Sequence, residues 1–163
     1  MTSASDELTT YYFGYGTLLG TAEMQRYCPG AEKVAVASFP DHRLEFWAYD
    51  AEAGRVGCHL TEAPGTKAYG VVYRVPDAEM AGLDRASGVD RDWFRRLPID
   101  VTTAQGEPMT VTTYFLTDPL RPETPDDAYV GLVREGSRSA GLPEEFVVQL
   151  NDYLDALPPR ATP

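Results

Sequence analysis

The sequence predicts an α+β fold in which helices flank a small curved sheet or barrel. Seven short segments between residues 11 and 116 are rich in Val, Tyr, Phe and Thr, which favour strands. Three segments with helical spacing interrupt or follow them. Many short strands and few helices in 163 residues are typical of one α+β domain.

The predicted strands are separated by turn residues and cover residues 11–15, 33–39, 43–49, 56–60, 68–75, 95–103 and 109–116. Gln105-Gly106 lies between the last two and is typical of a hairpin turn. We therefore expect that pair of strands to be antiparallel.

The predicted helices begin at Asp77, near Asp126 and at Glu144. Asp77 is expected to cap the first helix and Gly88 to end it, and Gly141-Leu142-Pro143 is a strong stop for the second. The inward-facing positions are predicted to be Met80, Leu83 and Ser87, then Tyr129, Leu132 and Val133, and finally Phe146, Leu150 and Leu154.

Composition excludes several classes of partner. A net charge of -11 argues against nucleic acid and anionic membranes, which are bound by basic patches. Cys28 and Cys58 form neither a metal-binding pair nor a Cys-x-x-Cys motif, so neither a metal nor a cofactor is expected. The polar N-terminus predicts a cytoplasmic protein. We predict one domain over residues 11–157, with a disordered tail at 1–10 and a proline-rich tail at 158–163.

The stretch from Tyr11 to Leu19 is the most informative part of the chain, because a predicted strand breaks there onto a turn containing Gly14 and Gly16. With Thr21 capping a short helix through Tyr27, several backbone N–H groups would point into one small space. Such groups hold a carboxylate or a carbonyl oxygen. The alternative is a purely structural turn.

Five segments in order resemble the γ-glutamylcyclotransferase-like (AIG2-like) family, over roughly residues 11–153. They are Phe13-Gly14-Tyr15-Gly16-Thr17-Leu18, Pro64-Gly65 leading into Ala68-Tyr69-Gly70-Val71-Val72-Tyr73, Leu83-Asp84 before Gly88-Val89, Phe94-x-Arg96-x-x-Ile99-x-Val101, and Tyr129 ahead of Gly141-Leu142-Pro143. The resemblance implies a small mixed, partly closed β-barrel.

The resemblance also implies a reaction. Members of the family release the amine from a γ-glutamyl amide as the substrate's own α-amine attacks the γ-carbonyl, giving 5-oxoproline. The loop of Tyr15, Gly16, Thr17 and Leu18 would bind the substrate through its amides. Tyr129 would line the pocket, and Arg96 would hold a carboxylate or brace the barrel.

One position departs from the family pattern. The resemblance places the family's catalytic carboxylate where this chain has Ser87, and a serine does not act as a base unless another group activates it. Asp84 and His59 are candidates to take over, including a Ser87–His59 pair. The alternative for Asp84 is an acidic residue on the solvent side of the helix. The alternative for His59 is a histidine that only packs in the fold. Trp93 either walls the pocket or packs.

Four functions remain open on the sequence. The leading hypothesis is a family enzyme with non-standard catalysis, acting on a small amide or acyl substrate by cyclisation or acyl transfer in bacterial metabolism. The alternatives are a catalytically inactive small-molecule-binding module, an ordinary cyclotransferase that releases 5-oxoproline, and a structural or interaction protein that uses the fold as a scaffold. The predicted partner is a small-molecule substrate, with neither nucleic acid nor membrane, and a homodimer stays open as the assembly.

Overall fold

Six strands and four α-helices make up the part of the chain that the computed structural model describes, residues 8–51 and 54–159. The strands are β1 (Thr9–Gly14), β2 (Glu32–Asp50), β3 (Arg55–Pro76), β4 (Phe94–Thr103), β5 (Pro108–Leu116) and β6 (Arg121–Pro122). The helices are α1 (Thr21–Tyr27), α2 (Asp77–Ala86), α3 (Asp127–Ser139) and α4 (Glu144–Asp155). Single 3-10 turns lie at Gly16–Leu18 and Val89–Arg91.

Five of the strands close into a barrel. The order in the sheet is β3-β1-β5-β4-β2-β6, and β2 also pairs with β3, which joins the two sides. β1 and β5 are parallel, whereas every other pair in these strands is antiparallel. The predicted mixed barrel with flanking helices is therefore confirmed. The β4–β5 hairpin is also confirmed, with Gly106 in the left-handed region at φ 84°.

β2 and β3 are each one long strand where the sequence predicted two. They pair from Glu32–Arg74 to Asp50–Arg55, with irregularities in register that include one between Pro40 and His42. At that point Asp41 has φ 61°, and its carboxylate accepts a hydrogen bond from the Gly65 N–H at 3.0 Å. The predicted turns are thus a bulge that bends two continuing strands. Turn residues such as Pro, Asp and Gly mark both features, which is why the sequence prediction was wrong here.

Two predicted helix caps are also wrong. Gly20 precedes α1 and Pro76 precedes α2, and neither helix has a side-chain cap. The Asp77 carboxylate instead accepts a hydrogen bond from Thr10 Oγ1 at 2.6 Å, which ties α2 to β1. The end of α2 is as predicted, because Gly88 adopts φ 78° directly after the C-cap residue.

The predicted inward faces are confirmed except at one residue. Val133 is fully buried, but Leu132 is 37% exposed because the buried face of α3 continues through Gly136 and Ser137. β1 begins at Thr9, two residues before the predicted strand, so Thr9 and Thr10 belong to the barrel. The rest of the predicted tails lies largely outside the described residues. No helix in the described ranges is both long and apolar enough to cross a membrane.

The turn after β1 is pressed against β3. Gly16 has φ 63°, and a Cβ at this position would lie 2.3 Å from Cys58 Sγ. The other side of this turn packs against α3. A Cβ on Gly136 of α3 would lie 3.0 Å from the Gly20 amide nitrogen. Glycines therefore allow the turn to lie between a barrel strand and a helix.

We expect Gly16→Ala to destabilise the protein more than Gly106→Ala. Both residues have positive φ, so each alanine costs roughly 1–2 kcal/mol of unfolding free energy. Only Gly16 also meets a neighbour, whereas a Cβ on Gly106 meets nothing within 4 Å. Overpacking should therefore add about 1–3 kcal/mol for Gly16→Ala. Urea denaturation measures both, and equal losses would contradict the close contact with Cys58.

Candidate active site

A cavity of about 320 Å³ lies beside the turn that follows β1. It brings together five residues that the sequence analysis selected, namely Tyr15, Thr17, Leu18, Ser87 and Tyr129. They come from the turn, the C-terminal end of α2 and the first part of α3. A larger groove of about 590 Å³ lies between β2, β3 and α4, and none of the selected residues lines it. The smaller cavity is therefore the candidate site.

Cys58 occupies the centre of the hydrogen-bonding network in the wall of this cavity. Its backbone N–H donates to the Tyr129 hydroxyl at 3.0 Å, and its sulfur lies 2.9 Å from the same oxygen. The Tyr15 hydroxyl donates to the Tyr114 carbonyl at 2.5 Å and lies 3.4 Å from the Cys58 carbonyl. From the sequence, Cys58 was assigned no part in a site. Cys58 is buried, but it also lines the site.

These groups are neutral near pH 7. Burial raises the pKa of the Cys58 thiol to about 11, although hydrogen bonds from Tyr129 and Thr17 oppose the rise. Burial also raises the pKa values of Tyr15 and Tyr129 well above the ordinary value. The wall therefore offers protonated thiol and phenol groups, and Cys58 is not poised as a nucleophile.

More of the backbone amides of the turn are hydrogen-bonded within the protein than the sequence predicted. The Leu18 N–H donates to the Tyr15 carbonyl at 3.1 Å, and the Leu19 N–H donates to the Gly16 carbonyl at 3.4 Å. The Thr17 N–H donates to the Cys58 sulfur, which is a weak acceptor. The expectation was that several of these amides point into one small space, and the amides of Leu18 and Leu19 are instead hydrogen-bonded within the turn. A substrate oxygen would replace the Cys58 sulfur at the Thr17 amide more easily than it would replace the carbonyl partners of the other two amides, because sulfur is the weaker acceptor.

Ser87 lies at the C-cap of α2 and lines the cavity. Its side chain makes no hydrogen bond to another residue within 8–51 and 54–159, so no base activates it there. His59 does not supply one. Its Nδ1 accepts a hydrogen bond from the Leu116 N–H at 3.1 Å, and its ring lies 6.0 Å from that of Phe115.

The structure thus does not form the Ser87–His59 pair. His59 follows Cys58 on β3, so its side chain points to the other face of the strand and is not part of the described cavity wall. Burial lowers the pKa of His59 below its usual value. The surroundings of His59 agree with the alternative that it packs in the fold.

Asp84 and Arg96 lie behind the cavity wall. Asp84 Oδ1 accepts a hydrogen bond from the Tyr114 hydroxyl at 2.5 Å, and Arg96 Nε lies 3.1 Å from the same oxygen. Tyr114 does line the cavity, so the Asp84 carboxylate is one hydrogen bond away from it. The sequence did not select Tyr114, because a tyrosine that alternates with apolar neighbours on a strand is normally a core residue.

The charged groups of the wall are arginines. Arg55 and Arg91 line the cavity, whereas no Asp or Glu does among the described residues. Within the same residues no group of three or more His, Cys, Asp and Glu could hold a metal ion. Trp93 also lines the cavity, which is the first of the two roles considered for it.

Comparison with known proteins agrees with the resemblance. The model of the AIG2-like family matches residues 67–150. A gamma-glutamylcyclotransferase of Homo sapiens is 26% identical over 157 residues, which are 91% of this chain and 83% of that protein. One from Mus musculus is 27% identical over 155 residues, 89% of this chain and 81% of that protein. The solved structure of a gamma-glutamyl cyclotransferase has a TM-score of 0.83 at 24% identity and covers 95% of this chain and 91% of its own, so the fold is shared.

We expect Tyr129→Phe to lower the free energy of unfolding by about 1–3 kcal/mol, because the buried Cys58 N–H would lose its acceptor. The matched control is Tyr69→Phe. Tyr69 packs against Phe146 with the two rings tilted, and its hydroxyl makes no hydrogen bond within the described chain. Urea denaturation should show little change for the control. A Tyr129→Phe variant as stable as the control would contradict the hydrogen bond to Cys58.

Proposed function

The chain belongs to the AIG2-like family, and from that premise we propose that it is a cyclotransferase-family enzyme with altered proton transfer. Its substrate would be a small amide or acyl compound that fits a cavity of about 320 Å³. The curated relatives named gamma-glutamylcyclotransferase support γ-glutamyl amines as the first compounds to test.

In the proposed reaction the α-amine nitrogen of a γ-glutamyl amide attacks the γ-carbonyl carbon of the same molecule. A carbon–nitrogen bond forms in the ring, and the bond to the leaving amine breaks. The attacking nitrogen loses a proton and the leaving nitrogen gains one, so the products are 5-oxoproline and a free amine. Both reacting groups are in one molecule, so the site has to fold the substrate and move protons.

The observation that carries the proposal is the chemistry of the cavity wall around Ser87. The resemblance places a catalytic carboxylate at this position, and no Asp or Glu among the described residues lines the cavity. A positioned general base contributes roughly 10²–10⁴ in rate. We therefore infer slow turnover by the usual route, or a different route for the proton.

We propose that the proton moves through Tyr114 and Asp84. The Tyr114 oxygen would accept the proton of the attacking amine while the phenolic proton passes to Asp84 along the existing 2.5 Å hydrogen bond. The proton would return by the reverse path to the leaving amine. The Thr17 N–H would meet the oxyanion that forms at the carbonyl oxygen.

A catalytically inactive binding module is the second candidate. The protonated thiol and phenols around Cys58, together with a Ser87 side chain that no base activates, favour it. Such a module would be stabilised by its ligand without forming product.

We expect Ser87→Glu to raise the rate of 5-oxoproline formation from γ-glutamyl amines by about 10²-fold or more, because it restores a base at the cavity wall. Ser87→Gln is the control, since it has the same size without the basic group. The rates are measured by chromatography of 5-oxoproline.

The other outcomes separate the three functions. If wild type forms product as fast as Ser87→Glu, the protein is an ordinary cyclotransferase, and this result would contradict the proposed change in proton transfer. If neither protein forms product and the γ-glutamyl amide raises the melting temperature, the catalytically inactive binding module is the candidate that remains.

Asp84→Asn and Tyr114→Phe should each lower the wild-type rate by about 10²-fold or more, if the proton passes between these residues. Full activity in Asp84→Asn or in Tyr114→Phe would rule out this route.

A further inference from the structure

His59 joins two strands that do not pair with each other. In the sheet β1 lies between β3 and β5, and β1 ends at Gly14. No ladder joins β3 to β5 anywhere in the described ranges. The His59 side chain spans this break, because its Nδ1 accepts a hydrogen bond from the Leu116 N–H at 3.1 Å. A side chain of β3 therefore supplies the hydrogen bond that a neighbouring strand would otherwise supply to the end of β5.

The same edge of β5 carries the Tyr114 carbonyl. Residues two apart in a strand present their backbone polar groups to the same side, so this carbonyl and the Leu116 N–H both face β3. The Tyr15 hydroxyl donates to the Tyr114 carbonyl at 2.5 Å and lies 3.4 Å from the Cys58 carbonyl of β3. Tyr114 and Leu116 are both buried. Two side chains, Tyr15 and His59, thus hold the end of β5 against β3.

Tyr114 connects this edge of β5 to the candidate active site. Its side chain lines the cavity, and its hydroxyl donates to Asp84 Oδ1. Leu116 follows two residues later in the same strand, which is a distance of about 7 Å along the backbone. A displacement of the Leu116 amide would therefore also displace the backbone that carries the Tyr114 ring.

The hydrogen bond to Leu116 requires a neutral His59 ring. Nδ1 accepts only when it carries no proton, and a second proton on the ring would set one donor against another. Burial is the main cause that lowers the pKa of His59 below its ordinary value of about 6.5. Glu45 on β2 opposes this shift, whereas His42 on β2 and Arg95 on β4 add to it. The contact and the lowered pKa thus both favour the neutral form.

His42 provides a comparison within the same cluster of rings. It stacks on Phe39 and lies 6.5 Å from Phe115, which also packs against His59. The His42 Nδ1 lies 2.9 Å from the Pro40 carbonyl, and a carbonyl only accepts, so this Nδ1 carries a proton. A second proton on His42 leaves that hydrogen bond intact. Of the two histidines in the chain, only His59 would lose its described hydrogen bond on protonation.

We propose that His59 is a positioning residue, which in its neutral form holds the end of β5, and with it Tyr114, in place for the reaction. This inference rests on the proposed function, in which Tyr114 takes part in proton transfer, and it adds a control of the site by pH. The stabilisation from this contact is fully present above the ordinary histidine pKa of about 6.5. It is lost as the pH falls through the lowered pKa of His59.

The test compares two substitutions of similar size. His59→Asn keeps an acceptor that does not titrate, because the Asn Oδ1 can occupy the position of the histidine Nδ1. His59→Leu has the same branching without an acceptor. His42→Asn is the matched control for the loss of a histidine.

Tyrosine labelled with carbon-13 reports the position of Tyr114 in the absence of substrate. The Cζ signal of Tyr114, assigned by its loss in Tyr114→Phe, should shift in wild type as the pH falls below about 6.5. His59→Asn should remove this shift and His42→Asn should keep it. His59→Leu should show the low-pH position of the signal already near pH 7.

Hydrogen exchange measures the contact itself. The Leu116 amide should exchange about 10-fold faster in His59→Leu than in wild type or His59→Asn near pH 7, because it has lost its acceptor. A Tyr114 shift that is unchanged in His59→Asn would overturn the proposal, as would equal exchange of the Leu116 amide in all proteins. If His59→Leu does not fold, the comparison of His59→Asn with wild type decides.

Formation of 5-oxoproline from a γ-glutamyl amide gives the readout on the reaction. Near pH 7, His59→Leu should lower kcat by about 10- to 100-fold with little change in KM, because Tyr114 is misplaced for proton transfer. His59→Asn should restore most of this loss and keep more of its activity than wild type below about pH 6.5.

The two kinds of measurement separate this inference from the proposed function. A Tyr114 signal that follows the charge of His59 would support the positioning role even where no γ-glutamyl amide gives product. Product formed by His59→Leu at the wild-type rate and with the wild-type pH profile would support the function and overturn the positioning role.

Discussion

The contact between Gly16 and Cys58 is the constraint on which the rest of the site depends. A Cβ on Gly16 would lie 2.3 Å from the sulfur, so the turn after β1 lies directly on β3 only because it has no side chain there. From this contact follow the hydrogen bond of the Thr17 N–H to the sulfur and the position of the cavity beside the turn. The Tyr129 hydroxyl joins α3 to the same residue.

Burial decides the chemical character of this wall. Because the thiol and phenols are removed from water, their pKa values rise and the groups stay protonated. They can donate hydrogen bonds to a substrate oxygen, but they do not act as bases near pH 7. The nearest carboxylate that we identify as connected to the cavity, Asp84, reaches it through Tyr114. The groups that could bind a substrate oxygen are therefore different from the carboxylate that could take part in proton transfer.

The end of α2 brings the two parts of the site together. Ser87 is the C-cap residue, Gly88 turns the chain in the left-handed region, and Trp93 returns to lie against Gly88. Ser87 therefore lies on one part of the cavity wall and the two arginines on another.

Local patterns in the sequence were enough to predict the α+β class, the β4–β5 hairpin and the stop of α2 at Gly88, because side-chain alternation and glycine conformation are local properties. They left a curved sheet or a barrel open, and the mixed barrel was predicted from the family resemblance. Placement of Ser87 beside the turn required the family resemblance. Only the tertiary structure decided that His59 faces away from Ser87, that Asp84 binds Tyr114, and that Arg55 and Arg91 each lie over the ring of Trp93. Those contacts join residues far apart in the chain, and strand register and barrel closure bring them together.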